Sequence, residues 1–234
     1  MAGETVKTQA VCLSVAPWSR TSHVVTWLTP SGRVGTVVKG AVRPKSAFLG
    51  QYDLNYTCEV VYYARARGAL HVLRECAPVA RRDALRDDYA ALALAGYFRL
   101  LSDRFAPPGP DCADWYAALS ETLDGLERGG ASVEAMLRAE LRHLHLLGLE
   151  PEIEAAAGSF TLRGERKIPL SSDVARYIRA LGRFPCGRAS GPQGAPLALD
   201  AARVLGVYYN FHVDGVSDVR RAVLRLIHNK ARRT

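Results

Sequence analysis

The sequence predicts an α+β chain, with a small five-stranded β-barrel over residues 1–80 and an all-helical domain over residues 81–234. Three observations carry that prediction. Short β-rich runs follow one another as far as residue 76, and in 54–63 the residues alternate with a period of two. Beyond Pro78 the period becomes that of an amphipathic helix. The charge divides at the same place. Residues 1–82 hold 11 Lys/Arg and 4 Asp/Glu, a net of +7, whereas residues 83–234 hold 20 and 19, a net of +1. Positive charge gathered on one segment is the footprint of a surface that binds polyanions.

The strands come first. Residues 6–15 (VKTQAVCLSV) and 23–29 (HVVTWLT) are rich in β-formers, and Pro30-Ser31-Gly32 turns the chain into 33–39 (RVGTVVK), a hairpin by its spacing. In 54–63 Leu54, Tyr56, Cys58, Val60 and Tyr62 share one face, the mark of a half-buried strand. A turn near Arg65 to Gly68 leads into the fifth strand, 69–76. Five short strands in so little chain fit a small antiparallel barrel.

The helices follow. Residues 83–105 read as one helix with Leu85, Tyr89, Leu92, Gly96 and Leu100 as its stripe, and APPGP (106–110) ends it. Helical patterns resume at about 112–128 and 132–147, the latter stopped by Gly148 and Pro151. Residues 154–196 are loop-rich. Within them SFTLRGERKIPL suggests a short hairpin, 172–181 a helix, and the Gly- and Pro-rich 182–196 a loop. Helices at about 197–211 and 217–229 complete the chain.

No run of 18 apolar residues is present and the N-terminus lacks a secretory signal's apolar core, so the expectation is a cytosolic protein with no membrane partner. The five cysteines (Cys12, Cys58, Cys76, Cys112, Cys186) never form C-x-x-C, which points away from disulfides and zinc, and Cys12, Cys58 and Cys76 read as buried apolar thiols on strands. No phosphate-binding G-x-x-x-x-G-K-[ST] loop and no G-x-S-x-G elbow occurs, which tilts the reading away from an enzyme.

The segment Gly32–Ser46, GRVGTVVKGAVRPKS, joins a glycine turn, a β-branched strand and a basic loop. Arg20, Arg33, Lys39, Arg43 and Lys45 supply charge, and Arg65 and Arg67 crown a neighbouring turn. Phe48, Tyr52, Tyr56, Tyr62 and Tyr63 are candidate rings for base stacking. The plain alternative is a solvated loop with the rings in the core. Arg81-Arg82 reads as a solvated pair. His143 and His145, at i and i+2, lack metal-ligand spacing and read as surface or partly packed. Arg138 and Arg142, at i and i+4, could rim a groove for an acidic peptide or could be ordinary exposed arginines. Arg220, Arg221 and Arg225 on the last helix could answer its dipole or add a second nucleic-acid contact.

PWSRTS (17–22), TPSGRVGTVVKGAVRPKS (29–46) and LGQYDL (49–54) resemble the N-terminal domain of the bacterial recombination mediator RecO family. Gly32, Arg33, Val37, Val38, Lys39, Gly40, Arg43, Lys45 and Ser46 match its pattern, while Arg20 stands where an acidic residue is common. LRAELRHLHLLGLEPEI (137–153) is similar to a later family helix, with Ala139 in place of an aromatic, and VYYNFHVDGVSDVRRAVLRLI (207–227) is more loosely similar to the C-terminal pattern. The resemblance implies a five-stranded OB-fold and a helical domain that binds partners. It implies binding of single- and double-stranded DNA, strand annealing, and loading of RecA together with RecR on DNA coated by single-stranded DNA-binding protein. It also implies that the helix bearing Arg138 and Arg142 grips the acidic C-terminal tail of that coating protein, and that the protein is nucleoid-associated. Some family members carry a four-cysteine zinc site after that helix. Here residues 154–200 contain only Cys186, so no zinc finger, and no cofactor of any kind, is expected. The alternatives are a protein-interaction adaptor with little DNA affinity of its own and a hydrolase with a dispersed site in the helical domain.

Overall fold

Strand β1 (Thr5–Ser19) is 15 residues long because it serves two neighbours. Its first half, Thr5–Val11, pairs antiparallel with β4 (Thr57–Tyr63), and its second half, from Val11 onward, pairs antiparallel with β2 (Ser22–Thr29). A register shift between Cys12 and Ser14 marks the transfer, and an extra residue of this kind bends a strand as a barrel requires. The computed structural model describes residues 4–65, 70–109, 112–156, 159–163, 167–182 and 195–231.

With β3 (Gly32–Val38) and β5 (Leu70–Ala80), the strands close into a barrel of order β1-β2-β3-β5-β4. The pairing corrects one expectation, because β3 and β5 run parallel through Gly35–Leu70, Thr36–His71 and Val37–Val72. A closed ring with an odd number of strands cannot alternate direction throughout, so one pair must be parallel. Inside lie Ala10, Cys12, Val25, Trp27, Val38, Ala41, Tyr56, Cys58, Val60, Tyr62 and Leu73. Trp27 is fully buried and donates its indole N–H to Thr36 Oγ1 at 2.8 Å, which satisfies both polar atoms. Cys12 and Cys58 are buried and Cys76 half-buried, all with free thiols, as the sequence predicts; Cys186 lies outside the described residues.

The chain folds as two compact units, residues 1–83 with 98–123 and residues 84–97 with 124–234. In the first unit the barrel is joined to the segments that follow it. Arg99 donates to the carbonyl of Leu13, and Tyr116 Oη donates to Gln9 Oε1 at 3.3 Å. Arg82 is not part of a solvated pair. Its φ is 55°, its side chain is buried, and Nη1 donates to the Asn55 carbonyl at 2.7 Å, so it ties the exit of β5 to the start of β4.

The helices are α1 (Tyr89–Phe105), α2 (Ala113–Gly129), α3 (Val133–Leu146), α4 (Ser172–Gly182), α5 (Ala195–His212) and α6 (Ser217–Ala231). Residues Asp83–Arg86 form only a 3-10 turn, and α1 begins after Asp88, whose Oδ1 accepts the Ala90 N–H at 3.1 Å. Of the expected stripe Leu85 is buried, in the 3-10 turn ahead of α1, but its residues within α1 do not form the buried face. Tyr89 is 71% exposed and Leu92 and Leu100 are also exposed, whereas Ala90, Ala91, Leu94, Ala95, Tyr97, Phe98 and Leu101 are buried. Both faces of this helix are apolar, so periodicity alone cannot choose between them. Ser132 caps α3 by accepting the Ala135 N–H at 3.0 Å, and Gly148 (φ 69°) ends that helix as predicted.

The helical part is interrupted by a three-stranded antiparallel sheet of β6 (Glu152–Ala156), β7 (Ser159–Arg163) and β8 (Ile168–Leu170). Strands β7 and β8 fall on the hairpin predicted for SFTLRGERKIPL. Among the described residues no helix is long and apolar enough to cross a membrane.

Candidate nucleic-acid interface

The loop that follows β3 is anchored through its backbone. The Gly40 N–H donates to Ser22 Oγ at 3.2 Å and the Val42 N–H to the Thr21 carbonyl at 3.3 Å, so the loop lies against the β1–β2 tip. Ala41 plugs into the barrel core. Short-range turns then wind the chain onward, from Arg43 N–H to the Gly40 carbonyl and from Ser46 N–H to the Arg43 carbonyl. Gly40 has a φ of +66°, a left-handed conformation that side-chain-bearing residues adopt only with strain.

That anchoring leaves the charged side chains outside. Arg20, Lys39, Arg43 and Lys45 are exposed, and among the described residues none pairs with a carboxylate. The sequence explains why. Residues 5–52 contain six Lys/Arg and not one Asp or Glu. Arg33 behaves differently. It is exposed, but its guanidinium donates to the Asp103 carbonyl and lies 3.6 Å from the Asp103 carboxylate. Arg65 is exposed just past the end of β4; Arg67 lies outside the described residues.

The predicted stacking rings divide. Tyr56 and Tyr62 are core residues. Phe48 and Tyr52 pack against the core from its edge. Tyr52 meets Trp27 edge-on at 6.1 Å and shares a 2.8 Å hydrogen bond with His23 Nδ1. Burial pushes its phenol up to about 12, so it remains protonated at neutral pH. Tyr63 is exposed, with the Arg74 guanidinium over its ring at 5.6 Å. The ring that sequence reasoning missed is Trp18, 62% exposed at the β1–β2 tip.

The family model for Recombination protein O N terminal matches residues 1–82, and that for Recombination protein O C terminal matches residues 86–222. The chain belongs to the RecO family. It is 28% identical over 203 residues to the DNA repair protein RecO of Geobacter sulfurreducens, spanning 86% of this chain and 79% of that one. It is 30% identical over 202 residues to the same-named protein of a Roseiflexus species, spanning 85% and 68%. The match to that of an Anaeromyxobacter species, at 26% identity, covers 98% and 88%. RecO membership brings the class of function with it, DNA repair and recombination, and the closed five-stranded barrel is its OB-fold.

In the helical unit of this RecO chain, the predicted peptide-binding pair separates. Arg138 is buried rather than exposed, and its Nε and Nη2 both donate to Glu134 Oε1, at 3.0 and 2.6 Å. Arg142 is half-exposed. His143 is buried and hydrogen-bonded to the Tyr209 hydroxyl at 2.8 Å, while exposed His145 pairs with Glu150. Arg220, read from sequence as a surface cation, is buried against Glu140 and donates as well to the Ala202 carbonyl at 3.1 Å. Arg221 and Arg225 are exposed, with Arg221 paired to Asp218. Among the described residues no three His, Cys, Asp or Glu side chains are grouped to hold a metal ion.

Proposed function

We propose that this chain is a DNA-repair mediator that holds single-stranded and duplex DNA on the β1–β2 tip and the loop after β3. The observation that supports it most is the set of exposed Arg20, Lys39, Arg43 and Lys45 beside one backbone-anchored loop, in a stretch free of acidic residues. Each phosphate neutralised there releases condensed counterions, which drives binding without regard to base sequence. Two complementary strands held on such a surface repel one another less, and base pairing supplies the free energy of annealing. No covalent bond is made or broken, so the role requires no catalytic group. In this reading RecR is the partner with which RecA is loaded on strands coated by single-stranded DNA-binding protein. The acidic tail of that coating protein docks on the helical unit with Arg142 as a contact, and Arg138 holds Glu134 and the shape of α3.

The test is annealing of complementary oligonucleotides pre-coated with single-stranded DNA-binding protein. The wild-type chain is expected to accelerate it, and the triple variant Lys39→Glu, Arg43→Glu, Lys45→Glu to lose that effect with its thermal unfolding unchanged. Equal acceleration by the triple variant would remove the loop from the reading, and a folded wild-type chain that neither binds nor anneals DNA would overturn it.

A further inference from the structure

Trp18 lies exposed at the β1–β2 tip, outside the barrel core. The β1–β2 register runs Pro17–His23 and then Ser19–Ser22, with a shift between Pro17 and Ser19 that leaves Trp18 as the extra residue of a bulge. A bulge re-aims the side chain it carries. The other two indoles fold inward, Trp27 fully buried and Trp115 nearly so. A single exposed apolar residue needs no explanation by itself. This one stands two residues from Arg20, on the tip to which the Lys39–Arg43 loop is hydrogen-bonded through Thr21 and Ser22, and Val42 of that loop is exposed as well. The site therefore joins an exposed indole to several cations that, among the described residues, pair with no carboxylate.

We infer that Trp18 stacks on an unpaired base and makes this site prefer single strands over duplex. The inference rests on the DNA-binding reading above and adds to it a side chain and a strand preference. Charge alone draws both forms of DNA, since both present phosphates. Base faces are open only where strands are unpaired, and an aromatic ring stacks on any of the four. In a duplex those faces are covered by their neighbours, so the ring gains nothing there.

The chain supplies its own probe. Trp18 is the exposed indole of three, so quenching of tryptophan emission on adding an oligothymidylate of about 12 nucleotides, within the site size of one barrel, reports on it. Trp18→Ala should abolish that quenching and weaken binding of the oligothymidylate about 5- to 100-fold. Binding of a duplex of equal charge should change by less than about two-fold, because the phosphate contacts remain. Trp18→Phe should keep most of the affinity and Trp18→Leu should not, which separates stacking from mere apolar contact. If Trp18→Ala binds the single strand as tightly as wild type, or weakens both forms alike, the inference is overturned while the DNA-binding reading stands. If the wild-type protein binds neither form, both fall.

Discussion

Glu140 on α3 and Arg220 on α6 meet as a two-pronged ion pair across 80 residues of chain, at 2.7 and 2.9 Å, with only 1% and 4% of their side chains exposed. Tyr97 Oη donates to the same carboxylate at 3.1 Å. Burial and the Glu140 charge both push the Tyr97 phenol upward, so it stays a donor. Removing one partner leaves a buried charge alone, which costs about 3–5 kcal/mol. Arg220→Met or Glu140→Leu should each lower the free energy of unfolding by that amount. The joint replacement Glu140→Leu, Arg220→Met should cost much less than the sum, as chemical unfolding of the four proteins would reveal.

Gly206 on α5 packs against the Arg220 guanidinium. A β-carbon added there would lie 2.5 Å from Arg220 Nη1 and 3.3 Å from Cζ. Inside a helix Gly→Ala ordinarily stabilises by about 1 kcal/mol. Here it should destabilise by about 1–3 kcal/mol, because the guanidinium must leave its place against Glu140. In an Arg220→Ala background the same change should become neutral or stabilising. That reversal of sign, read from thermal melts in a double-mutant cycle, distinguishes the steric cause from any intrinsic need for glycine.

Asp88 gives the helical unit a dependence on acid. Burial raises its pKa, but hydrogen bonds from Lys230 Nζ and from the N–H groups of Ala91 and Ala131 outweigh that and hold the carboxyl below its usual value. A carboxyl more acidic in the folded than in the unfolded chain contributes fully above the unfolded pKa of about 3.9, and the contribution is lost as pH falls through the folded value. Asp88→Ala should therefore cost about 1–2 kcal/mol at neutral pH, since it also removes the cap of α1. The gap to wild type should narrow as unfolding is repeated at pH values below about 4.

The barrel's strands are legible in the sequence as β-rich runs, and Tyr56, Cys58, Val60 and Tyr62 do share the buried face, although Leu54, expected on that face, is exposed and β4 begins only at Thr57. The barrel's closure is not legible, because the parallel Val37–Val72 pairing joins segments whose local patterns say nothing of each other. The buried face of α1 escapes for a different reason. Leu92 and Leu100 look as apolar as Leu94 and Leu101, and only packing selects the second pair. Buried arginines are invisible in the same way. Arg82, Arg138 and Arg220 read as surface charge until the Asn55 carbonyl, Glu134 and Glu140 are found beside them. The basic loop is legible because nothing acidic interrupts it, whereas Trp18 requires knowledge of the bulge between Pro17 and Ser19.

The cations of the proposed interface are not equivalent, and salt separates them. Each phosphate contact on a single strand contributes about 0.7 to the slope of log K against log salt concentration. Lys39→Gln and Arg43→Gln should each lower the magnitude of that slope by about that amount, because among the described residues these side chains have no carboxylate competing for them. Arg33→Gln should leave the slope within error, since its guanidinium is engaged by the Asp103 carbonyl and carboxylate. The same change should instead lower thermal stability slightly, by less than about 1 kcal/mol for so exposed a pair. Titrations by fluorescence anisotropy between low and moderate salt measure all three. A slope reduced by Arg33→Gln and untouched by Lys39→Gln would move the nucleic-acid path from the loop after β3 to the outer face of β3 itself.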